Sequence, residues 1–370
     1  MPSTRRSFLR TGSHAIAVTA AASALPRPLL AHIGVRPEAI PPINDTRLRD
    51  LAFRSLDAAK AAGAKYADIR LTHEQERSYS PGVEEHEAIT VGVRALVDGY
   101  WGFAASPIWS PDEMVRLGRD AVRQAKACAP GSVRTIDLAP APIVNNGHWE
   151  MPVKIHPFDL NPSEIGDHLS GLLLYIKEQG AIRTVQTTGE KTEYKCLMQQ
   201  KAFGSTDGSY CTQRVFRSSG QVSFAIVKGN LNDRTSLDRF TPTGVGWELF
   251  TDQPVRDQIK LALDEMISDM ALPFKPVDVG RYTTVFDAWG MAQLISKSLG
   301  LATELDRILG YEANASGTSY INDPARMRHT LKMGSPLITV VGNRHEAGGV
   351  ATARWDDEGV EPSELSLIHI

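Results

Sequence analysis

Several side chains in the C-terminal third of this chain could hold a metal or act as bases. Histidine, aspartate and glutamate are common protein ligands of zinc, and a carboxylate can take a proton from a metal-bound water. The candidates in this part of the chain are Asp287, His329, His345, Glu346, Asp356, Asp357 and Glu358. No two of these histidines stand four residues apart, which is the spacing that places two ligands on one helical face. These residues alone therefore do not predict a metal site.

Nucleophilic catalysis is not indicated either. The chain has three cysteines, Cys128, Cys196 and Cys211. They are widely spaced and form no CxxC pair, so the sequence indicates neither a disulfide framework nor a cysteine zinc site. Ser205 stands in turn-like sequence and not in a G-x-S-x-G elbow after a strand. The run Glu84–Glu87 lies beside a turn, which favours a solvated face over a metal cluster.

Length and charge favour a folded two-domain protein and argue against a nucleic-acid-binding one. The 370 residues suggest two domains with sizeable cores. The 40 Lys and Arg against 43 Asp and Glu leave a formal charge of −3, so no basic excess indicates binding to nucleic acid. No apolar stretch is long enough to span a bilayer. The composition is that of a folded globular protein.

The first residues carry the features of an export signal. Arg5 and Arg6 are followed by Phe8-Leu9 and by a mildly apolar, Ala-rich run over Ala15–Leu25. This pattern is typical of the twin-arginine route, so we interpret residues 1–31 as a signal peptide and predict a periplasmic protein. The alternative is an ordinary amphipathic first helix.

The following segment predicts a small α+β domain over residues 45–135. Apolar residues at helical spacing predict a first helix over 45–62. Two segments rich in β-forming residues, 67–80 and 88–105, predict antiparallel strands, with a turn at Asp98-Gly99. The capping box Ser110–Glu113 begins a second helix that ends before Pro130.

A proline-rich linker over residues 136–160 separates this domain from a larger one over 161–364. A helix from Ser163 to Ile176, alternating strands between Ile182 and Val227, and a helix over Pro254–Met270 are expected there. Further on we expect a strand at Tyr282–Phe286 and a helix over Ala288–Leu309. Residues 365–370 match one reading frame of a transposase sequencing adapter, so we interpret them as a sequencing artefact and the reading frame as truncated near Glu364.

Several sequence blocks resemble the TldD/PmbA family of metallopeptidases. They are Gly92–Gly99 with Trp101–Phe103, Gly280–Asp287, Ala302–Arg307, Leu309–Tyr320 and Trp355–Val360. The blocks occur in the family's order and together cover about residues 45–362. The resemblance implies an α+β fold, in which an N-terminal helix and antiparallel-sheet domain packs on a larger, mostly antiparallel, barrel-like C-terminal domain.

Active members of this family carry an HExxxH motif on the helix after the first of the C-terminal blocks. Its two histidines bind zinc, its glutamate polarises the bound water, and a cysteine nearer the C-terminus completes the site. Here the motif positions are occupied by Ser296, Lys297 and Leu301. None of the required side chains is present, so no cofactor and no catalytic residue is predicted for this chain as written. The third ligand would fall beyond Glu364.

The resemblance also implies a peptide-binding wall after the motif. The residues that would line it are Glu304, Asp306, Arg307, Glu312, Asn314 and Thr318. An alternative of equal weight is that Asp306, Arg307 and Glu312 form an ion-pair network that holds the helix end to the sheet.

Three functions remain open on the sequence. The first is a metallopeptidase-family subunit for peptide processing that lacks its own zinc site and binds peptides or serves as a partner subunit, as a homodimer or with an HExxxH-bearing homologue. The second is an active zinc peptidase whose ligands come from a missing C-terminus or from a partner. The third is an exported, non-catalytic binding protein.

Overall fold

A computed structural model describes most of the chain beyond the predicted signal peptide. The described residues are 42–43, 45–80, 82–128, 136–229, 231–237, 240–273, 275–315, 317–327, 330–332, 334–335, 337–363 and 365–368. The predicted signal peptide and His329 lie outside them.

The described residues contain helices and strands in mixed order. In chain order they are α1 (Thr46–Ala61), β1 (Tyr66–Ser80), β2 (Gly82–Val97), β3 (Tyr100–Ser106), α2 (Pro111–Cys128), β4 (Gly147–Glu150), α3 (Pro162–Ile182), β5 (Gln186–Ser205), β6 (Tyr210–Lys228), β7 (Leu231–Ser236), α4 (Glu248–Thr251), α5 (Val255–Met270), α6 (Ala288–Ile295), α7 (Leu305–Ile308), α8 (Pro324–Met327), β8 (Val340–Gly342) and β9 (Leu365–Ile368). The helices predicted near residues 45, 110, 163 and 254 are all present.

The chain divides into two compact units. The first takes the described residues of Met1–Thr72, Ile89–Ala139 and Gly204–Gly208, and the second those of His73–Ala88, Pro140–Phe203 and Ser209–Ile370.

The first unit contains α1, α2, the first part of β1 and the hairpin of β2 and β3. Helices α1 and α2 approach so closely that a Cβ on Gly118 would lie 2.2 Å from the carbonyl oxygen of Ser55. Strands β2 and β3 pair antiparallel through the predicted turn, in which Asp98 and Gly99 both have positive φ. An Asp-Gly pair tolerates this conformation, which explains the sharp reversal.

The sheet runs in the order β3-β2-β1-β5-β6-β4, and β7 pairs with β6. The β2–β3 and β6–β7 pairs are antiparallel, whereas β4 pairs parallel to β6. The α+β class is therefore confirmed. The sheet is open rather than closed into a barrel among the residues described, because its two end strands, β3 and β4, are not paired with each other.

The core of the second unit is built around aromatic rings. Phe240 stacks on Phe250 with ring centroids 4.4 Å apart, and Phe250 stacks on Trp247 at 5.2 Å. Tyr194 of β5 meets Trp247 edge-on at 4.8 Å. Helices α3 and α5 contribute apolar faces to the same cluster. This stack holds the loop before α4 and α4 itself against the sheet.

Two predictions downstream of residue 280 were wrong. Tyr282–Phe286 is not a strand, because the segment is exposed and pairs with no neighbouring strand among the described residues. The single helix predicted over Ala288–Leu309 is interrupted, since α6 ends at Ile295 and a π-turn and a 3₁₀ turn precede α7. Gly300 and Thr303 in this region have low helix propensity, which favours the break.

Strands β8 and β9 form a separate two-stranded antiparallel sheet. Within the part of the chain that the structure describes, every helix is too short or too polar to cross a membrane.

Candidate functional site

The helix that would carry the family's zinc motif begins at a capped end. The Asp287 carboxylate accepts a hydrogen bond from the Gly290 N–H at 2.7 Å, which satisfies a free donor of the first turn of α6. The α-helix ends at Ile295, and the next five residues, Ser296–Gly300, form a π-turn. Asp287 is thus a helix cap in this structure, which accounts for its position without a metal.

The π-turn places the two outer motif positions on one side of the helix. The N–H of Leu301 donates to the carbonyl of Ser296, five residues earlier. In a regular α-helix, at about 100° per residue, positions five apart point roughly 140° away from each other. A π-turn closes one turn over that distance, so residues 296 and 301 face the same way. Positions 296 and 301, which correspond to the two histidines of the motif, therefore lie on one side of the helix.

Those side chains do not fit zinc. Ser296, Lys297 and Leu301 are all exposed. Zinc in proteins is held by thiolate, imidazole or carboxylate, and this set offers a hydroxyl, an ammonium and a hydrocarbon. The Lys297 ammonium would also repel a dication.

A downstream segment holds the end of the π-turn in place. Tyr320 donates from its hydroxyl to the Ser298 carbonyl at 3.0 Å, and Ser319 donates to the Ala302 carbonyl at 2.6 Å. Thr303 donates to the Gly300 carbonyl at 2.9 Å. These bonds satisfy carbonyls that an irregular helix end would otherwise expose. The block that resembles the family after the motif thus directly supports residues 296–301, which we call the motif window.

The predicted substrate-binding residues follow this window in the chain. Arg307 is buried and forms an ion pair with Glu304 at 3.6 Å in the same helical turn, so this contact is local. Asp306 accepts a hydrogen bond from the Arg307 N–H. Asn314 and Thr318 are exposed and Glu312 is half-buried. Their role in binding a peptide stays a prediction.

Three of the other metal candidates have structural contacts. Asp356 accepts hydrogen bonds from the N–H groups of Glu358 and Val360, which closes a turn. Asp357 lies 3.2 Å from the Lys201 ammonium. The Nε2 atom of the His345 ring forms a hydrogen bond with the Pro362 carbonyl. Across the described residues, no three His, Cys, Asp or Glu side chains gather as a metal site would require.

The acidic run Glu84–Glu87 lies on an exposed part of β2. Glu87 contacts the Nε2 atom of buried His73 at 2.7 Å, and Glu85 contacts Arg77 at 2.6 Å. These two carboxylates have structural partners on β1.

The buried cysteines are poor nucleophiles. Burial raises the pKa of the Cys196 thiol to about 11 and that of Cys211 to about 12. Both thiols are therefore protonated at neutral pH, and only the thiolate is nucleophilic. Ser205 is buried, and its backbone carbonyl accepts a hydrogen bond from the Gly208 N–H in the predicted turn.

The Trp355–Val360 block, which resembles the family, is anchored by a residue that sequence reasoning missed. The buried Gln213 amide donates to the Trp355 carbonyl at 2.7 Å, and its oxygen accepts from the N–H groups of Arg354 and Trp355. Trp355 packs beside Phe203 and Cys211. The sequence did contain a sign of this role. Gln213 stands on a strand of mostly buried residues, and a buried amide needs hydrogen-bond partners elsewhere in the chain.

A pocket lies between β5, β6 and the start of α6. It has a volume of about 340 Å³ and is lined by residues that include Glu193, Lys195, Gly220, Leu237, Phe240 and Trp289. Trp289 stands seven residues before Ser296 on the helix that leads into the π-turn. The sequence offered no periodicity that would bring these segments together.

Sequence comparison finds a relative among characterised proteins, although no family model matches the chain. The chain is 24% identical over 311 residues to Metalloprotease MJ0996 of Methanocaldococcus jannaschii. The match covers 82% of this chain and 63% of the relative, so the chain spans less than two thirds of that protein.

Solved structures share the fold. One is described as a modulator of DNA gyrase from Bacteroides thetaiotaomicron, with a TM-score of 0.62, 15% identity, and coverage of 86% of this chain and 69% of that chain. A second of the same description, from Thermotoga maritima, has a TM-score of 0.60 and 16% identity over 87% of this chain and 68% of that chain. TldE from Thermococcus kodakarensis has a TM-score of 0.56 and 14% identity over 87% of this chain and 67% of that chain.

Proposed function

Because this chain is a TldD/PmbA-family protein, similar in sequence to a metalloprotease and in fold to TldE, we propose that it binds peptides without a zinc site of its own. It acts in peptide processing as a binding or partner subunit.

The observation that carries this proposal is the chemistry of the motif window. The π-turn brings positions 296 and 301 to one side of the helix, yet these positions hold serine and leucine. Position 297, where a general base would stand, holds a lysine. No step of metal-assisted hydrolysis can be assigned to these three side chains.

The residues that follow the motif window can bind a peptide. The segment after the window contains the Glu304–Arg307 pair and the exposed side chains of Asn314 and Thr318, which offer hydrogen-bond partners to a peptide backbone. In this proposal these residues position a peptide across the window.

A second subunit is part of the proposal. Helix α6 is almost entirely apolar in sequence, yet it has no buried residue in this chain. A helix that is apolar all round is normally covered, and a second TldD/PmbA-family subunit would cover the part of α6 that follows Trp289. This partner is either a second copy of this chain or an HExxxH-bearing homologue.

The alternative is an active zinc peptidase, which the name of the curated relative favours. The zinc content of the purified protein distinguishes the zinc-free binding protein from the active peptidase. We expect zinc-supplemented expression followed by elemental analysis to give far less than one zinc per purified chain. Fluorescein-labelled tryptic peptides of casein should nevertheless bind, as an increase in fluorescence anisotropy, and stay intact. One zinc per chain together with cleavage of these peptides would establish the alternative instead.

A separate experiment tests whether the chain pairs with a second subunit. Co-expression with a tagged HExxxH-bearing homologue should give a complex that co-purifies, or light scattering of the chain alone should give the mass of a dimer. A monomer that captures neither copy nor homologue would favour a solitary binding protein.

We further propose that the chain is exported by the twin-arginine route to the periplasm, on the strength of the Arg5-Arg6 pair. Replacing both arginines by lysine is expected to leave most of the full-length protein in the cytoplasm of a bacterial host, as measured by cell fractionation. The matched control, Arg10→Lys, should be exported normally. Equal periplasmic amounts of the double variant and the control would contradict the proposal.

A further inference from the structure

The pocket beside α6 has a rigid apolar floor and one exposed wall. Phe240 is 2% exposed, and its ring is held by the stack on Phe250 and Trp247. Trp289 is 46% exposed at the start of α6. A cavity of about 340 Å³ lies within the range of ligand pockets and can take one large side chain.

The charged residues at the rim are already neutralised inside the protein. The Lys195 ammonium lies 2.7 Å from the Glu76 carboxylate, and the Glu193 carboxylate lies 2.7 Å from the Lys191 ammonium. An entering charged group would therefore lose its hydration without gaining a free counter-charge. Ser219, Gln221 and Thr241 also line the pocket, so it favours an uncharged occupant whose apolar contacts come from Leu237, Pro242 and Trp289.

Gly220 is required for this shape. A Cβ on Gly220 would lie 2.5 Å from the Phe250 ring and 2.9 Å from the Glu193 carbonyl oxygen. Only glycine lets the backbone of β6 approach the aromatic stack this closely, so the floor and the strand form one surface.

The pocket stands at a fixed distance from the motif window. Trp289 and Ser296 are seven residues apart on a continuous helix, which is about 10 Å along its axis. An extended peptide covers that distance with about three residues.

We propose that this pocket binds an aromatic or long aliphatic side chain of an extended peptide, about three residues from the peptide bond that lies at the motif window. The inference rests on the proposed function and adds a side-chain preference to it. Trp289 and Leu237 contact the side chain above the buried Phe240 ring, and the ion-paired rim disfavours Lys, Arg, Asp and Glu at that position.

The test uses a fluorescein-labelled Ala-Ala-X-Ala-Ala peptide series with the full chain and measures anisotropy. With X as Phe or Leu, the dissociation constant is expected to be about tenfold to hundredfold lower than with X as Ala, and X as Lys or Glu should not improve on Ala. Trp289→Ala should remove most of the preference for Phe.

The matched control is Leu261→Ala. Leu261 lies on α5, is 59% exposed and is not part of the pocket lining, so this variant should keep the preference for Phe. Thr241→Phe, which fills the pocket from its rim, should abolish the preference in a protein whose circular dichroism spectrum is unchanged.

The outcomes separate this inference from the proposed function. If all peptides bind equally and Trp289→Ala changes nothing, the pocket assignment is wrong while peptide binding stands. If no peptide binds at any concentration, both fail. Tighter binding of the Lys or Glu peptide would also overturn the assignment.

Discussion

A chain carrying Ser296→His and Leu301→His is expected to bind zinc with a dissociation constant on the order of 10 μM, about −7 kcal/mol, where the natural chain binds none at this concentration. The reason is the π-turn, in which the Leu301 N–H bonds to the Ser296 carbonyl and both positions face one side. Two imidazoles at such positions provide half of a tetrahedral coordination set.

Titration calorimetry with ZnCl₂ and the absorption spectrum with Co²⁺ provide the measurements. Adding Lys297→Glu should tighten binding by about tenfold, because it replaces an ammonium beside the metal by a carboxylate. The matched control is Ser296→His with Ser298→His. It has the same number of imidazoles, but residues two apart do not face each other on a helix.

Equal affinity of the two double variants would mean that the π-turn does not position residues 296 and 301 as described. Zinc binding by the unmodified chain with the same affinity would contradict both this prediction and the proposed lack of a zinc site.

Glu248→Ala is expected to lower the free energy of unfolding by about 3 kcal/mol at pH 7. Glu248 is buried, and its two carboxylate oxygens accept hydrogen bonds from the N–H groups of Lys154 and Ile155, each at 3.0 Å. Alanine would leave these donors without partners in a closed site. Glu248 also begins α4, which carries Phe250 beneath the pocket floor.

The effect should depend on pH. Burial by itself raises the pKa of Glu248, but hydrogen bonds from the backbone of Gly246, Lys154, Glu248 and Ile155 outweigh it, and the pKa is lowered from the ordinary value of 4.5. A lowered pKa means that the carboxylate stabilises the folded state above about pH 4.5, and that this contribution is lost as the pH falls through the folded-state pKa.

Urea unfolding of the natural chain and of Glu248→Gln measures this directly. The glutamine variant should be less stable at pH 7, because its amide group places a donor against backbone donors, and the difference should shrink below pH 4. Glu265→Ala, an exposed residue on α5, should change stability by less than about 0.5 kcal/mol. A stability difference for Glu248→Gln that is constant from pH 3 to pH 7 would show that the charge of Glu248 does not matter.

The sequence predicted most of the local structure. Helices α1, α2, α3 and α5 follow from apolar residues at helical spacing, and the β2–β3 hairpin follows from Asp98-Gly99. These signals are local, since a cap, a turn or a periodic face needs only neighbouring residues. A local signal also gave the wrong prediction at Tyr282–Phe286, because these β-forming residues pair with no strand among the described residues.

The sequence by itself determined the α+β class, the family resemblance and the identity of the side chains at positions 296, 297 and 301, and hence the chemistry that the motif window lacks. Only the tertiary structure decided that a π-turn brings positions 296 and 301 together, that Gln213 holds Trp355 across 142 residues, and that Lys195, Phe240 and Trp289 meet in one pocket. Periodicity specifies which face of an element is buried, but the partner of that face is set by packing between residues distant in the chain.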